Sequence, residues 1–428
     1  MSSGDTAYLL VSAALVMLMI PGLAFFYSGM VRAKNVLATA LQSFFALGIV
    51  SVLWVLIAYS LAFGTDIHGL IGGLDFAGFN GVGESPNMAL APTVPHLAFA
   101  VFQLFFAAIT PALITGAFAE RMKFSAFATF TGLWLVLVYA PLAHWVWAPG
   151  GWIRNLGALD FAGGTVVHVS AGIAALAAAL VIGRRSGWSK KTPTMPHNLP
   201  FTMLGAGLLW FGWFGFNAGS ALAANGLAAN AFVTTNVSAG AAMLGWAFVE
   251  WLRHRRVTSL GAVSGAVAGL VAITPAAGFV SPLAAIIIGL AAGVICSFAV
   301  GMKLRFGFDD TLDVVGVHAV GGIVGALSIG FLASTTVNPA GANGLLHGGG
   351  LTLLGHQIIA VVAAAAFAFA ASWILLKLID LTIGLRVRPD QEVMGLDMGL
   401  HEEYGYVFAE PADEAEPAAS KNNKGKGE

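Results

Sequence analysis

Two histidines lie inside long apolar runs of the sequence, where an ionisable side chain is costly. His168 follows Asp160 by eight residues, His318 follows Asp310 by eight, and a Gly-Ile pair begins four residues after each histidine. Two neutral imidazoles can share one proton between ring nitrogens and leave their other nitrogens facing a small polar molecule. Ionisable groups at such depth are usually functional, although a histidine can also join two membrane helices structurally. The repeated spacing favours the functional interpretation.

A second candidate group is aromatic and carries one hydroxyl. Trp213, Phe216 and Ser220 are spaced i, i+3 and i+7, so they share one face of a helix. Phe106 lies within another apolar run, and Trp147 follows the end of a third. Such a cluster could hold a small cation by cation–π attraction, but an aromatic belt at the membrane interface has the same composition. Further aromatic residues that could join the cluster are Phe102, Phe105 and Trp145.

Asp160 begins the apolar run that contains His168, and its simplest role is to cap the N-terminus of that helix. Direct charge pairing with a bound cation is the alternative. We expect no metal centre, because no third or fourth His, Cys or carboxylate lies at the depth of the histidines. The single cysteine, Cys296, excludes a disulfide framework and a cysteine cluster. With no cofactor motif and no acidic partner at mid-span, the chain is not expected to be an enzyme.

The composition assigns the chain to the membrane proteins. Of 428 residues, 58% are hydrophobic and 10% charged, whereas a water-soluble domain has about 25% charged residues. Runs of about 20 apolar residues span a bilayer as helices. The sequence therefore predicts an all-α polytopic membrane protein with eleven transmembrane helices, at about 6–31, 36–63, 96–118, 123–143, 162–183, 199–220, 228–252, 259–279, 283–302, 314–333 and 351–383.

The basic residues are distributed unevenly between the connectors. Nineteen of the twenty lysines and arginines fall on one side of the predicted spans, and Arg154 alone falls on the other. The positive-inside rule makes the crowded side cytoplasmic. We therefore expect the N-terminus outside and the C-terminus in the cytoplasm, which an odd number of spans requires. The net charge of −1 implies no nucleic-acid partner.

The matching Asp–His–Gly-Ile patterns lie 150 residues apart, in the fifth and tenth spans. Because five is odd, the two halves have opposite orientation, as in many transporters whose substrate path lies between inverted repeats. The prediction is two inverted five-helix repeats plus one extra helix, within a transmembrane domain at 1–383. The expected segments are repeat 1 at about 6–183, repeat 2 at about 199–333, the extra helix at about 351–383, and a cytoplasmic C-terminal region at 384–428 that is disordered from about 408.

Several segments resemble the ammonium transporter (Amt/Mep/Rh) family over about residues 6–405. The segments are PGLAFFYSGMVRAKN (21–35), GALDFAGGTVVH (157–168), WFGFNAGS (213–220), DVVGVH (313–318) and GLDMGLHEE (395–403). The DFAGG and FNAGS sequences are similar to the Amt branch of bacteria and archaea. The resemblance implies these roles: pore histidines His168 and His318, gate rings Phe106 and Phe216, an outer ammonium site of Trp147, Phe106 and Ser220, Trp213 lining the pore below it, and structural support from Asp160.

The resemblance also implies the activity and the partners. Family members recruit NH4+ at the outer vestibule, deprotonate it and conduct NH3, with methylammonium as an analogue; the sequence leaves open whether the proton is carried separately. The implied setting is the lipid bilayer of the inner (plasma) membrane, as a homotrimer that a PII signalling protein regulates from the cytoplasm. No cofactor is implied. The alternative function is an ammonium sensor that signals through a cytoplasmic partner.

Overall fold

The chain forms a bundle of long apolar helices. The computed structural model describes residues 1–190 and 194–406. The eleven main helices are α1 (Ser3–Met30), α2 (Val36–Leu53, Trp54–Ala58 and Tyr59–Phe63), α3 (His96–Phe118), α4 (Phe124–Trp134, Leu135–Tyr139 and Ala140–Trp147), α5 (Gly164–Ile182), α6 (Leu199–Gly219), α7 (Gly226–His254), α8 (Ser259–Ile273), α9 (Pro282–Ala299), α10 (Val315–Leu332) and α11 (Thr352–Thr382). The predicted all-α membrane fold is confirmed.

Where the structure describes them, the connectors contain only short elements. The loop at 64–95 forms a small antiparallel hairpin of β1 (Asp66–Ile67) and β2 (Ile71–Gly72). Short helical turns occur at Ala33–Asn35, Ala77–Phe79, Trp152–Leu156, Met302–Phe306 and Leu345–His347.

Ten of the eleven predicted spans coincide with helices that are long and apolar enough to cross a membrane. The exception is α8, which has 15 residues and at 1.5 Å per residue is about 22 Å long, short of the roughly 30 Å hydrocarbon core. Its helix stops just before Pro275, whose missing N–H cannot continue the ladder. Residues 274–280 continue as buried turns, and such backbone is tolerated at membrane depth only inside protein. The count of eleven crossings stays a prediction.

Equivalent helices of the two halves pack against each other. α1 lies along α6, and α5 crosses α10, while α11 packs on α5. At the α1–α6 contact the backbones approach closely, because a Cβ added at Gly205 would lie 2.6 Å from the carbonyl oxygen of Gly22. Small residues permit this approach in membrane bundles. The pairing of α1 with α6 and of α5 with α10 is compatible with two inverted repeats, whose boundaries stay a prediction.

Ion pairs join the helix ends on one side of the bundle, which we call the basic face. Glu120, which is 1% exposed, pairs with Arg32 at 2.7 Å and with Arg185 at 3.1 Å, and Arg185 also pairs with Asp309 at 2.9 Å. Burial alone would raise the pKa of the Glu120 carboxyl, but Arg185 and Arg32 outweigh burial, so the pKa is lowered from its ordinary value. These contacts join the ends of α1, α3, α5 and α10.

The C-terminal region packs on the same face. Helices α12 (Pro389–Met394) and α13 (Leu396–His401) follow α11. The Asp397 carboxylate accepts backbone N–H bonds from Leu37 and Ala38 at the start of α2, at 3.0 and 2.8 Å, and the Asn35 side chain accepts from the Leu396 N–H. The predicted disorder from about residue 408 lies outside the described residues.

Candidate functional site

The two histidines meet at the crossing of α5 and α10. The Nδ1 atoms of His168 and His318 lie 3.3 Å apart, and the ring planes are 25° from parallel. The residues are 1% and 3% exposed. Because each imidazole ring has two nitrogens, one proton between the Nδ1 atoms makes one ring the donor and the other the acceptor. Nε2 of His168 has no hydrogen-bond partner among the described residues, so it is available to a small polar molecule.

Both histidines lie on π-helical turns, at Gly164–Val169 in α5 and Val315–Ala319 in α10. A π-turn holds one extra residue and often occurs at a functional site, because it redirects the side chains around it. The two helices cross at glycine: a Cβ at Gly172 would overlap the backbone N of Ala319 and lie 2.6 Å from its Cα. The histidine contact thus depends on a glycine one turn further along α5.

The histidines form one end of a narrow space, which we call the lumen. Its volume is about 10 Å³, close to the least that holds one water molecule. Trp213 stacks on His168 with ring centroids 5.4 Å apart, and its Nε1–H donates to Thr274 Oγ1 at 2.8 Å. Phe216 forms the other end. The rest of the lining is apolar: Met19, Leu23, Phe26, Ile109, Leu113, Val167, Leu209 and Val267.

Two stacked phenyl rings separate the lumen from a larger cavity. The Phe106 and Phe216 ring centroids are 4.0 Å apart and the ring planes 19° from parallel. Both residues are almost fully buried, at 1% and 0% exposure. A molecule can reach the lumen from this side only if the rings move.

The larger cavity, which we call the vestibule, has a volume of about 290 Å³. The Trp147 and Phe106 rings are nearly perpendicular, with ring planes at 85° and ring centroids 6.1 Å apart. Its Nε1–H donates to the Asp160 carbonyl at 3.0 Å, and Arg154 donates to the Trp147 carbonyl. The Ser220 hydroxyl donates to the Phe216 carbonyl at 2.8 Å. Trp147 is therefore held at both its ring and its backbone.

Asp160 lies at the N-terminus of α5. Its carboxylate accepts four backbone N–H bonds: from Gly163 and Gly164 at 2.7 and 2.8 Å, and from Thr165 and Val166 at 2.7 and 3.3 Å. Backbone N–H groups at a helix N-terminus are unpaired within the helix and favour a negative charge. The carboxylate fixes the turn that begins α5, and the Asp160 carbonyl fixes Trp147.

The structure brings the eight predicted site residues into one continuous path, from the vestibule through the ring stack to the histidines. It adds two polar vestibule residues that the sequence analysis did not select as site residues, Gln103 and Arg154. A polar amide within the apolar run of α3 was an available signal for Gln103. Phe102 lines the vestibule, whereas Phe105 of the predicted aromatic cluster is outside its lining. Within residues 1–190 and 194–406, no three His, Cys, Asp or Glu side chains group as metal ligands.

Comparison with known proteins gives the family that the sequence motifs resemble, over nearly the whole chain. The sequence model described as Ammonium Transporter Family matches residues 7–406. An ammonium transporter of Bacillus subtilis is 51% identical over 407 residues, which cover 95% of this chain and 99% of the relative. Ammonium transporter Amt1 of Archaeoglobus fulgidus is 50% identical over 408 residues, covering 95% and 100%. The crystal structure of Candida albicans Mep2 superposes with a TM-score of 0.88 at 34% identity, covering 95% of this chain and 94% of that one. The chain therefore belongs to the Ammonium Transporter Family.

Proposed function

We propose that this ammonium transporter binds NH4+ in the vestibule, removes one proton there and conducts NH3 through the lumen past His168 and His318. The observation that carries the proposal is the lumen itself, about 10 Å³ in volume and closed by the stacked Phe106 and Phe216 rings. Desolvating an ion costs far more than desolvating a neutral polar molecule. A passage this narrow and apolar favours NH3 over NH4+.

The vestibule supplies weak attraction for a cation. The faces of the Trp147 and Phe106 rings carry negative charge density, and each contributes roughly 1 kcal/mol to binding at a partly wet site. The Ser220 oxygen can accept an N–H bond, because its own hydrogen is directed to the Phe216 carbonyl. The proton that NH4+ loses passes to water, for which the cavity of about 290 Å³ has room.

The histidine pair replaces part of the hydration that NH3 loses. NH3 both donates and accepts hydrogen bonds, and two imidazoles sharing one proton offer both kinds of site without a fixed charge. The pair is buried at the inner end of the lumen, where a charge would be costly. This role explains why polar side chains lie in an otherwise apolar passage.

The orientation follows from the distribution of charge. We infer that the basic face is cytoplasmic and that the N-terminus lies outside, in the plasma membrane. A reporter that is active only in the cytoplasm should give signal when fused after residue 405 and none when inserted in the loop at 64–95. The reverse pattern would contradict the orientation.

Assembly and regulation follow from the family resemblance. We propose a homotrimer with one path per subunit, and a PII signalling protein that docks on the basic face. A cavity of about 330 Å³ on this face is lined by Arg185, Lys303 and Asp309, among others, and it offers such a partner a charged place to dock. Native mass spectrometry should give the mass of a trimer, and a purified PII protein should reduce uptake; monomers alone, or unchanged uptake, would contradict these two proposals.

Uptake by the reconstituted protein tests the function directly. Proteoliposomes should accumulate methylammonium faster than protein-free liposomes, and repeating the assay at two membrane potentials shows whether net charge crosses. Uptake equal to that of protein-free liposomes would contradict transport. Binding of a cytoplasmic partner that changes with ammonium, without uptake, would instead favour the sensor.

A further inference from the structure

One vestibule side chain has a buried oxygen without a hydrogen-bond partner among the described residues. Gln103 lies on α3, one turn before Phe106, and lines the vestibule. The residue is 8% exposed, and its Oε1 has no hydrogen-bond partner within residues 1–190 and 194–406. A buried polar group left without a hydrogen bond costs about 1–3 kcal/mol. Such a group beside a cavity is satisfied by what the cavity holds.

The neighbouring polar groups of the vestibule are already committed to other contacts. The Ser220 hydroxyl hydrogen is donated to Phe216, and the Trp147 ring N–H to Asp160. Both oxygens of the Asp160 carboxylate accept backbone N–H bonds. Arg154 adds a positive charge to the lining. The cation–π attraction is weak, and the Ser220 oxygen is a single hydrogen-bond acceptor. A bound ammonium ion would therefore have more N–H donors than acceptors around it.

We propose that the Gln103 amide oxygen accepts a hydrogen bond from ammonium in the vestibule. The inference rests on the proposed function of this site. NH4+ has four N–H donors and no acceptor, so an additional carbonyl-type oxygen matches its chemistry. Rotation of the terminal amide exchanges Oε1 and Nε2 without moving the rest of the side chain, so the oxygen can face the cavity. Methylammonium has one N–H fewer and a bulky methyl group, and it gains less from the contact.

The test compares Gln103→Met with Gln42→Met. Methionine keeps the length and flexibility of glutamine but removes both polar atoms. Gln42 on α2 is a matched control, because it is also buried, at 3% exposure, and its Oε1 also lacks a partner among the described residues, yet it lies outside the vestibule lining. Both variants are reconstituted in proteoliposomes, and initial rates are measured against the concentration of ammonium and of methylammonium.

We expect Gln103→Met to raise the half-saturating concentration about five- to ten-fold for ammonium and less for methylammonium, with the maximal rate retained. Gln42→Met should change neither concentration. An unchanged value for ammonium in Gln103→Met would overturn the proposal. An equal rise for both substrates would also overturn it, since an amide that binds only water or only supports the fold does not distinguish the substrates. The same rise in Gln42→Met would overturn it as well.

A second variant keeps the proposal testable if Gln103→Met fails to assemble. Gln103→Glu retains an acceptor and strengthens it, because hydrogen bonds to an ionised acceptor are stronger. The half-saturating concentration for ammonium should then fall, and an unchanged or higher value would count against the proposal. Absence of uptake by the wild-type protein would refute the proposed function itself. Normal uptake by the wild-type protein, together with an unchanged half-saturating concentration in Gln103→Met, would refute only the role of Gln103.

Discussion

Replacing Gly172 by alanine should separate the two histidines without touching either of them. The added Cβ would lie 2.6 Å from the Cα of Ala319, next to His318, whereas ordinary van der Waals contact begins at 3.4 Å. The clash is with backbone on both sides, so no side chain can rotate away. The α5 and α10 backbones must therefore move apart by at least about 0.8 Å, since the backbone N of Ala319 lies closer still.

That movement is enough to break the contact between the rings. The Nδ1 atoms of His168 and His318 are 3.3 Å apart, and an added separation of about 0.8 Å takes them beyond hydrogen-bond distance. Overpacking costs about 1–3 kcal/mol of folding free energy, and alanine returns up to about 1 kcal/mol through its helix propensity. The variant should fold with slightly reduced stability, while its flux falls by about ten-fold or more, as a misplacement near 1 Å can cost.

Two further glycines provide a graded control. A Cβ at Gly322 meets its nearest atom at 3.0 Å, and a Cβ at Gly48 in α2 meets nothing within 4 Å. Uptake into proteoliposomes should therefore be lowest for Gly172→Ala, intermediate for Gly322→Ala and unchanged for Gly48→Ala, with protein levels and thermal midpoints measured in parallel. Wild-type uptake in Gly172→Ala at normal protein levels would refute the claim that the histidine contact sets the rate.

Three other predictions concern separate parts of the path and its support. His168→Ala and His318→Ala should each strongly reduce or alter conduction, and the double variant should cost little more than either one, because the pair acts as a unit; additive losses would show two independent residues. Trp147→Leu should raise the half-saturating concentration several-fold, from the loss of about 1 kcal/mol, without abolishing uptake; an unchanged value would reduce the aromatic cluster to an interface belt. Because the pKa of Glu120 is lowered on folding, its ionised carboxylate stabilises the fold at any pH above the unfolded pKa near 4.5. This stabilisation is lost as the pH falls through the folded pKa. Glu120→Gln should therefore lower the melting temperature at pH 7, by an amount that shrinks in acid; a difference independent of pH would contradict this.

The sequence predicted the membrane fold and the histidines because both leave a pattern in residue type and spacing. The repeated interval from Asp160 to His168 and from Asp310 to His318 placed both histidines at equivalent depths, and the structure brings their rings into contact. It could not predict the π-turns at Gly164–Val169 and Val315–Ala319, because an extra residue in a turn leaves no signature in hydrophobicity.

The eighth span shows a second limit of sequence reasoning. Hydropathy averages over a window, and 259–279 is mostly apolar with no charged residue, but the helix ends at Ile273. Pro275 was the available signal. Backbone that leaves the helix at this depth must be paired inside the protein, and the pairing of the Asn230 and Thr234 side chains with the Ala277 carbonyl depends on a tertiary contact.

Gln103 and Arg154 were missed for a different reason. Each is a single polar residue without a repeated partner, so no spacing marked it. Arg154 entered the sequence argument only as the exception in the charge distribution, and its contact with the Trp147 carbonyl depends on how the loop after α4 folds back. A role can be assigned to an isolated polar residue near a predicted site only when the structure shows which cavity it lines.

The four backbone bonds to the Asp160 carboxylate have a consequence for competition by alkali cations. Because those bonds occupy both oxygens, Asp160, the only acidic side chain that lines the vestibule among the described residues, offers no free anionic ligand. Potassium has nearly the radius of ammonium, so cation–π attraction alone favours neither of them, and the hydrogen bonds that only ammonium can donate provide the discrimination within the vestibule. The lumen adds a stricter selection: potassium has no proton to release, and so it has no neutral form that can enter.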